Sequence, residues 1–200
     1  MMSNICDQLK WQCEFVPTPF AQLLGSLQNN TIDYALGALV ITPERRQQLL
    51  FSLPYMPSEG GFLLLETSPI NSLQEFSGKK IGVMQGREYF HYAVDNFSRL
   101  ATIIPYTDIN AMVLDLTGGK IDAIFMNYLG GLYVEHQHPD EVKVLKDSYS
   151  VGEGLGIATL PSNTAGIQQI NKIILKFSAD GTFIRSYNYN FEFLTPTTHP

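Results

Sequence analysis

The chain has 200 residues, of which 44% are hydrophobic and 16% charged, with a net charge of −6. That is enough apolar material to bury a sizeable core in one domain or two small lobes, and the acidic balance argues against nucleic-acid binding, which wants a basic face. No apolar run approaches the roughly 20 residues of a membrane span, so no stable membrane insertion is expected.

Met1-Met2-Ser3-Asn4 lacks the basic and apolar regions of a signal peptide and, taken alone, suggests a cytoplasmic protein. Ile5-Cys6-Asp7-Gln8-Leu9 reads as a helix end and Cys13-Glu14-Phe15-Val16 as the start of a strand. A helix turning back beside its next strand can bring Cys6 and Cys13 into bonding range; two buried thiols are the other reading. Residues 19–29 are predicted helical, with Phe20, Leu23, Leu24 and Leu27 on one face. Asn29-Asn30 breaks that helix, and Ile32 to Val40 is the next strand. Thr42 then suits a helix N-cap and Pro43 the first helical position. Arg45 falls in the first turn, where the helix dipole disfavours a cation unless an anion sits beside it.

Ser58-Glu59-Gly60-Gly61 could serve as a hinge crossing, since glycines permit the dihedral change of closure. Phe62 to Leu65 is predicted as a short strand, Leu73 to Phe76 as a helical turn, Lys80 to Met84 as a strand and Glu88 to Leu100 as a helix. Ala101 to Pro105 is a strand and Ile109 to Leu116 a helix. Gly118-Gly119 then repeats the logic of Asn29-Asn30 and leads into a strand from Ile121 to Met126. Two αβ units that merely look alike, or two related lobes with a cleft, both account for this repeat. Gly154 to Leu160 is a strand and Thr164 to Phe177 a helix. The alternation of helix and strand gives an α/β class with mainly parallel sheet.

The run Ile41-Thr42-Pro43-Glu44-Arg45, with Phe51-Ser52-Leu53-Pro54-Tyr55 downstream, resembles the ITPER…F-S-x-P-Y signature of family 3 solute-binding proteins, the extracytoplasmic receptors of polar amino-acid ABC transporters. Ala179-Asp180-Gly181-Thr182-Phe183 resembles the family's A-D-G-T-aromatic turn before a terminal helix. The resemblance implies a two-lobed periplasmic-binding-protein type II fold with a ligand cleft between the lobes. The expected division is residues 1–58 for the first part of lobe 1, 59–153 for lobe 2, and 154–200 for the return crossing and the rest of lobe 1. It also implies a Cys6–Cys13 disulfide, as in the lysine/arginine/ornithine- and histidine-binding members, and hence an oxidising compartment such as a periplasm. Family members open with a strand, an aromatic-rich loop and a helix start that have no counterpart here. The first lobe is therefore expected to be N-terminally truncated, with a swapped dimer as one way to fill the gap.

The same resemblance places the ligand contacts. Arg45 falls where the family holds the ligand α-carboxylate, a task its planar fork suits; Arg46 is its solvated neighbour. Gly37, Ala38 and Val40 match a bend whose backbone touches ligand, here without hydroxyl side chains. Phe20 matches an aromatic that packs on a cationic side chain. Gly82-Val83-Met84-Gln85-Gly86 resembles the strand-and-loop G-V-x-x-G, making Gln85, Arg87 and Glu88 candidates; the last two stand where the family has Thr or Ser. Asn127 falls on the family's ammonium-binding Asp and lacks its charge. Either zwitterions bind less well, or Glu88 supplies the charge, or the ligand has no free α-ammonium.

The implied function is capture of a polar, cationic amino acid for an ABC membrane permease, without catalysis, cofactor or metal. His91, His136, His138 and His199 form no metalloprotease pattern; His136-Gln137-His138 reads as an exposed helix-end turn. The alternatives are a cyclohexadienyl or arogenate dehydratase on the same fold, with Glu88 as its general acid, and a sensor domain that has lost ligand capture.

Overall fold

A computed structural model describes residues 1–192; His199 and the rest of the tail from 193 on lie outside the described residues. The chain forms two compact units. The first takes residues 1–57 and the described residues from 153 onward, and the second takes Ser58–Gly152.

The first unit opens with α1 (Met2–Leu9), α2 (Leu23–Gln28), β1 (Ala35–Val40), α3 (Pro43–Arg46) and β2 (Leu50–Phe51). The second unit contains β3 (Glu59–Leu65), β4 (Lys80–Met84), α4 (Glu88–Phe97), β5 (Thr102–Tyr106), α5 (Ile109–Thr117), β6 (Ala123–Asn127), α6 (Tyr128–Gln137), β7 (Val142–Val144) and β8 (Tyr149–Ser150). The chain returns to the first unit with β9 (Leu155–Thr159), α7 (Thr164–Ala179) and α8 (Thr182–Asn190).

In the first unit β9 is the central strand, paired antiparallel to β1 on one side and β2 on the other. Its alternating side chains feed two cores. Ala158 packs with Leu23, Leu27, Leu39, Ile41 and Phe51. Ile157 packs with Ile5, Ile167, Ile170 and Ile174. The disulfide Cys6–Cys13 is formed. Residues 13–16, however, are not a strand: no strand among the described residues pairs with them, and Phe15 and Val16 are exposed. Without a neighbour for its backbone groups, an extended segment has no ladder to join. The sheet is likewise antiparallel here, against the mainly parallel expectation.

The second unit's sheet runs β5-β4-β6-β3-β7, with β8 also on β3. β4 lies parallel to both β5 and β6, while β3 is antiparallel to β6. The connection from β4 through α4 goes outward to β5; the one from β5 through α5 comes back across β4 to β6. Right-handed crossovers in opposite directions put the two helices on opposite faces, and the cores agree. Phe62 and Phe125 meet Phe76 and Phe97 in an aromatic layer, with Phe62–Phe76 centroids 4.4 Å apart and Phe62–Phe125 5.0 Å. The next residues along, Leu63 and Ile124, face an aliphatic layer with Met112 and Leu116 of α5.

Gly60 and Gly61 lie inside β3, just past the Pro57/Ser58 boundary at which the chain passes from the first unit to the second. Neither has a positive φ. They are small because rings cover them: a Cβ on Gly60 would run into Phe125, and one on Gly61 would meet Tyr128 at 2.5 Å. Gly60→Ala is therefore expected to destabilise the protein by about 1–3 kcal/mol, the usual cost of overpacking, in chemical denaturation followed by tyrosine fluorescence. A variant as stable as the parent would show that Phe125 swings aside freely.

Candidate functional site

In the first unit the site is built where β1 ends. The register with β9 runs Ala35↔Ala158 and then Leu39↔Gly156, so four steps on β1 face two on β9. The surplus is a bulge, which bends a strand and re-aims its side chains. Leu36, Gly37 and Ala38 are exposed there, while Leu39 and Val40 return to the core. Ala38 sits at φ 53°, a left-handed conformation that costs a non-glycine residue roughly 1–2 kcal/mol.

The downstream motif supports this bend. The backbone of Ala38 hydrogen-bonds to the phenol of Tyr55. Ser52, buried, takes a hydrogen bond from the Ile157 N–H at 3.0 Å and donates to the Leu53 carbonyl at 2.8 Å. Leu53 N–H in turn donates to Asn171 of α7 at 2.8 Å. The Phe-Ser-x-Pro-Tyr run is thus a brace for the bulge, with Ser52, Leu53 and Tyr55 each tied to a different neighbour.

Thr42 and Pro43 take the predicted cap and first-turn positions: the Arg45 N–H donates to Thr42 Oγ1 at 3.3 Å. The Arg45 guanidinium doubles back, donating to the Val40 carbonyl at 2.8 Å and lying 6.0 Å from the centre of the Phe20 ring. Phe20 itself leans on the Leu23–Leu27 core from a single 3₁₀ turn, Phe20–Gln22, that precedes α2. The structure therefore brings Phe20, Val40 and Arg45 together next to Gly37 and Ala38. Arg46 points elsewhere and pairs with Glu153 at 2.8 Å, both ends exposed.

In the second unit the candidates collect at the C-terminal ends of β4 and β6. These adjacent parallel strands are where the connections diverge to opposite faces, the place where open α/β sheets hold ligands. Gly82 is needed inside β4 because a Cβ would meet Ile121 at 2.6 Å and Met112 at 3.2 Å. Gly86, at φ 77°, makes the turn out of the strand. The Gln85 N–H is fixed on the Tyr106 carbonyl at 2.7 Å. Arg87 is the N-cap residue of α4 and Glu88 its first residue; the Arg87 side chain makes no capping bond.

Asn127 ends β6 and caps α6. Its Oδ1 accepts the Gly130 N–H at 2.9 Å, and its Nδ2 donates to the Tyr89 hydroxyl at 2.8 Å and, at 3.5 Å, toward the Glu59 carbonyl. The Tyr89 hydroxyl is 3.3 Å from Ser58 Oγ. Tyr89 and Ser58 join this candidate cluster and were not among the candidates the sequence offered. The only available signal was adjacency: Tyr89 follows Glu88 on the helix, and Ser58 immediately precedes β3, the strand that pairs with β6. His136 and His138 sit exposed at the end of α6, with His138 Nδ1 3.5 Å from Glu141. Among the described residues no group of acidic, histidine and cysteine side chains is arranged to hold a metal ion.

The sequence pattern of bacterial extracellular solute-binding proteins, family 3, matches residues 1–193. The arginine-binding periplasmic protein of Mannheimia haemolytica is 31% identical over 92% of this chain and 76% of its own length. ABC transporter arginine-binding protein 1 of Escherichia coli K12 is 28% identical over 90% of this chain and 74% of its own. A crystal structure of an arginine third transport system periplasmic binding protein from Legionella pneumophila superposes with a TM-score of 0.83 at 32% identity, covering 94% of this chain and 85% of that one. That likeness shows the type II fold of periplasmic binding proteins.

Burial pushes the Tyr55 phenol up to about 12, with the Ala38 backbone bond opposing part of the rise. Below pH 10 the folded and unfolded chains both keep this proton, and the tyrosine's stabilising contribution is complete. As pH climbs from 10 to about 12 the unfolded chain ionises first, and that contribution is lost. Tyr55→Phe is expected to flatten the alkaline fall in stability by an amount on the order of 2 kcal/mol, measured by urea unfolding at a series of pH values. An unchanged slope would mean that the Tyr55 phenol titrates alike in both states.

Proposed function

The chain belongs to the bacterial extracellular solute-binding proteins of family 3, and from that premise we propose that it captures a polar amino acid with a cationic side chain. It does so in the periplasm and delivers the ligand to the membrane permease of an ABC importer. Relatives whose names specify arginine support the ligand class. The disulfide supports an oxidising compartment. No helix among the described residues is long and apolar enough to cross a membrane, and the reading asks for none.

The observation that carries the proposal is the placement of Arg45. Its guanidinium is anchored by the Val40 carbonyl and the face of Phe20, at the rim of a strained, exposed bulge. A planar guanidinium suits the two parallel hydrogen bonds of a carboxylate. Phe20 supplies an aromatic face for an aliphatic stem or a guanidinium. In the second unit, the turn after β4 brings the Glu88 carboxylate to the first position of α4. Such a receptor works by binding alone: contacts made only in the liganded form shift its population toward that form. It is not an enzyme and needs no cofactor.

Thermal unfolding with each common amino acid tests this directly. Arginine, lysine or ornithine is expected to raise the transition, by about 2.7 kcal/mol of stabilisation when present at 100 times the dissociation constant. Arg45→Ala should weaken binding at least tenfold, since hydrogen bonds to charged groups contribute about 1.5–3 kcal/mol. A flat panel on a cooperative transition would sink the proposal.

A further inference from the structure

The Asn127–Tyr89–Ser58 cluster has a direction. Gly130 donates its N–H to Asn127 Oδ1, which fixes the amide orientation and leaves Nδ2 facing Tyr89. An amide nitrogen only donates, so the Tyr89 oxygen accepts. Tyr89 and Ser58 then hold two hydroxyl protons for the one contact they share at 3.3 Å. If Tyr89 donates to Ser58, the Ser58 proton is left over; if Ser58 donates to Tyr89, the Tyr89 proton is. Either arrangement leaves one O–H donor leading out of the cluster. Ser58 is almost wholly buried at 4% exposure, whereas Tyr89 is half-buried; of the pair, Tyr89 is the residue more open to a ligand, and the arrangement that serves one is Ser58 donating to Tyr89 with the Tyr89 proton turned outward.

The cluster also carries no charge. It stands at the C-terminal ends of β4 and β6, next to the Gln85–Glu88 turn, at the switch point of the sheet. An ammonium group has only donors to offer and finds here only neutral lone pairs, on Asn127 Oδ1 and the two hydroxyls, without the carboxylate that would strengthen the bond. An oxygen acceptor finds a positioned O–H.

We propose that Tyr89 is a specificity-determining residue, and that its hydroxyl, held by Asn127, binds a neutral oxygen acceptor on the α-substituent of the ligand. The preferred ligand class is then a 2-hydroxy or 2-acylamino acid, and the ordinary α-ammonium acid binds more weakly. This inference rests on the receptor reading above. Its test keeps the cationic side chain and the carboxylate constant and changes only the α-substituent.

Titration calorimetry with L-arginine, its 2-hydroxy analogue and Nα-acetyl-L-arginine provides that test. At least one of the two neutral compounds is expected to bind tenfold or more tightly than arginine, about 1.4 kcal/mol. Which one does so distinguishes a hydroxy acid from an acylated amino acid. Arginine binding more tightly than both, or within tenfold of both, overturns the inference and leaves the receptor reading standing; no binding of any of the three overturns the two together. Asn127→Asp keeps an acceptor for the Gly130 N–H, and its carboxylate should move the preference toward arginine. Tyr89→Phe should collapse the ratio of affinities between neutral and ammonium ligands. A purely structural tyrosine would weaken all three alike and leave that ratio unchanged, which would also overturn the inference.

Discussion

Asn127 has a side-chain amide with two ends, and both are committed. One end closes the first turn of α6 on the Gly130 N–H; the other reaches across to Tyr89 on α4. A single side chain therefore stops β6, starts α6 and ties the result to the helix that leaves β4. The geometry is possible because β6 and β4 are adjacent and parallel, so their C-terminal ends and the helices that follow lie side by side. It is also possible because Gly60, directly opposite Asn127 in the β3–β6 register, leaves room for Phe125 beneath. A neutral cap costs the unit nothing in stability: Asn and Asp serve an N-cap about equally well. What changes is the electrostatic character of everything built on it. A buried carboxylate would demand a cation, whereas the amide makes no such demand.

The first unit solves a different problem. Arg45 is part of a helix of only four residues, Pro43–Arg46. So short a helix has little dipole of its own and little rigidity. The rigidity comes instead from the chain after it. Ser52 and Tyr55 bond to β9 and to the bend of β1, and Asn171 fixes the Leu53 amide from α7. Several modest hydrogen bonds, each worth roughly 1 kcal/mol net, hold Ala38 in a conformation that costs about as much as one or two of them. Strain kept in place by over-determined surroundings is characteristic of binding sites. The bulge is therefore best understood together with its brace and not as an isolated loop.

How far the sequence revealed this depends on the range of the interactions. The Thr42-Pro43 helix start, the strand Lys80–Met84 and the turn Leu73–Phe76 stand where they were predicted, because capping chemistry and alternation are local. The strand at 13–16 did not form, since a strand is a property of a pair and its partner cannot be seen in one segment. Gly60 and Gly61 show that glycine has two meanings, conformational freedom and lack of bulk; the need for lack of bulk is visible only once the rings of Phe125 and Tyr128 are in place. Tyr89 and Ser58 were illegible for the same reason. Thirty-one positions separate them, and a further 38 separate Tyr89 from Asn127, so nothing in the order of residues marks the three as neighbours.

The repeated helix-to-strand passage shows the limit of local likeness. Asn29 and Gly118 donate to the carbonyls of Gly25 and Leu114, and Asn30 and Gly119 to those of Leu27 and Leu116. Thr31 and Lys120 then close on Ser26 and Asp115, and Ile32 and Ile121 follow in the same way. Asn30 at φ 55° and Gly119 at φ 71° both take the left-handed turn that ends a helix. The two passages match bond for bond, yet the match ends at the cap. β1 enters a sheet with an antiparallel neighbour and bulges; β6 enters one between a parallel and an antiparallel neighbour and runs straight into a helix. A helix that must hand its chain to a buried strand has few ways to satisfy its last carbonyls. That constraint accounts for the shared spacing, and the two ends of the passage are free to carry different chemistry: a cation beyond one, a neutral hydrogen-bonding cluster beyond the other.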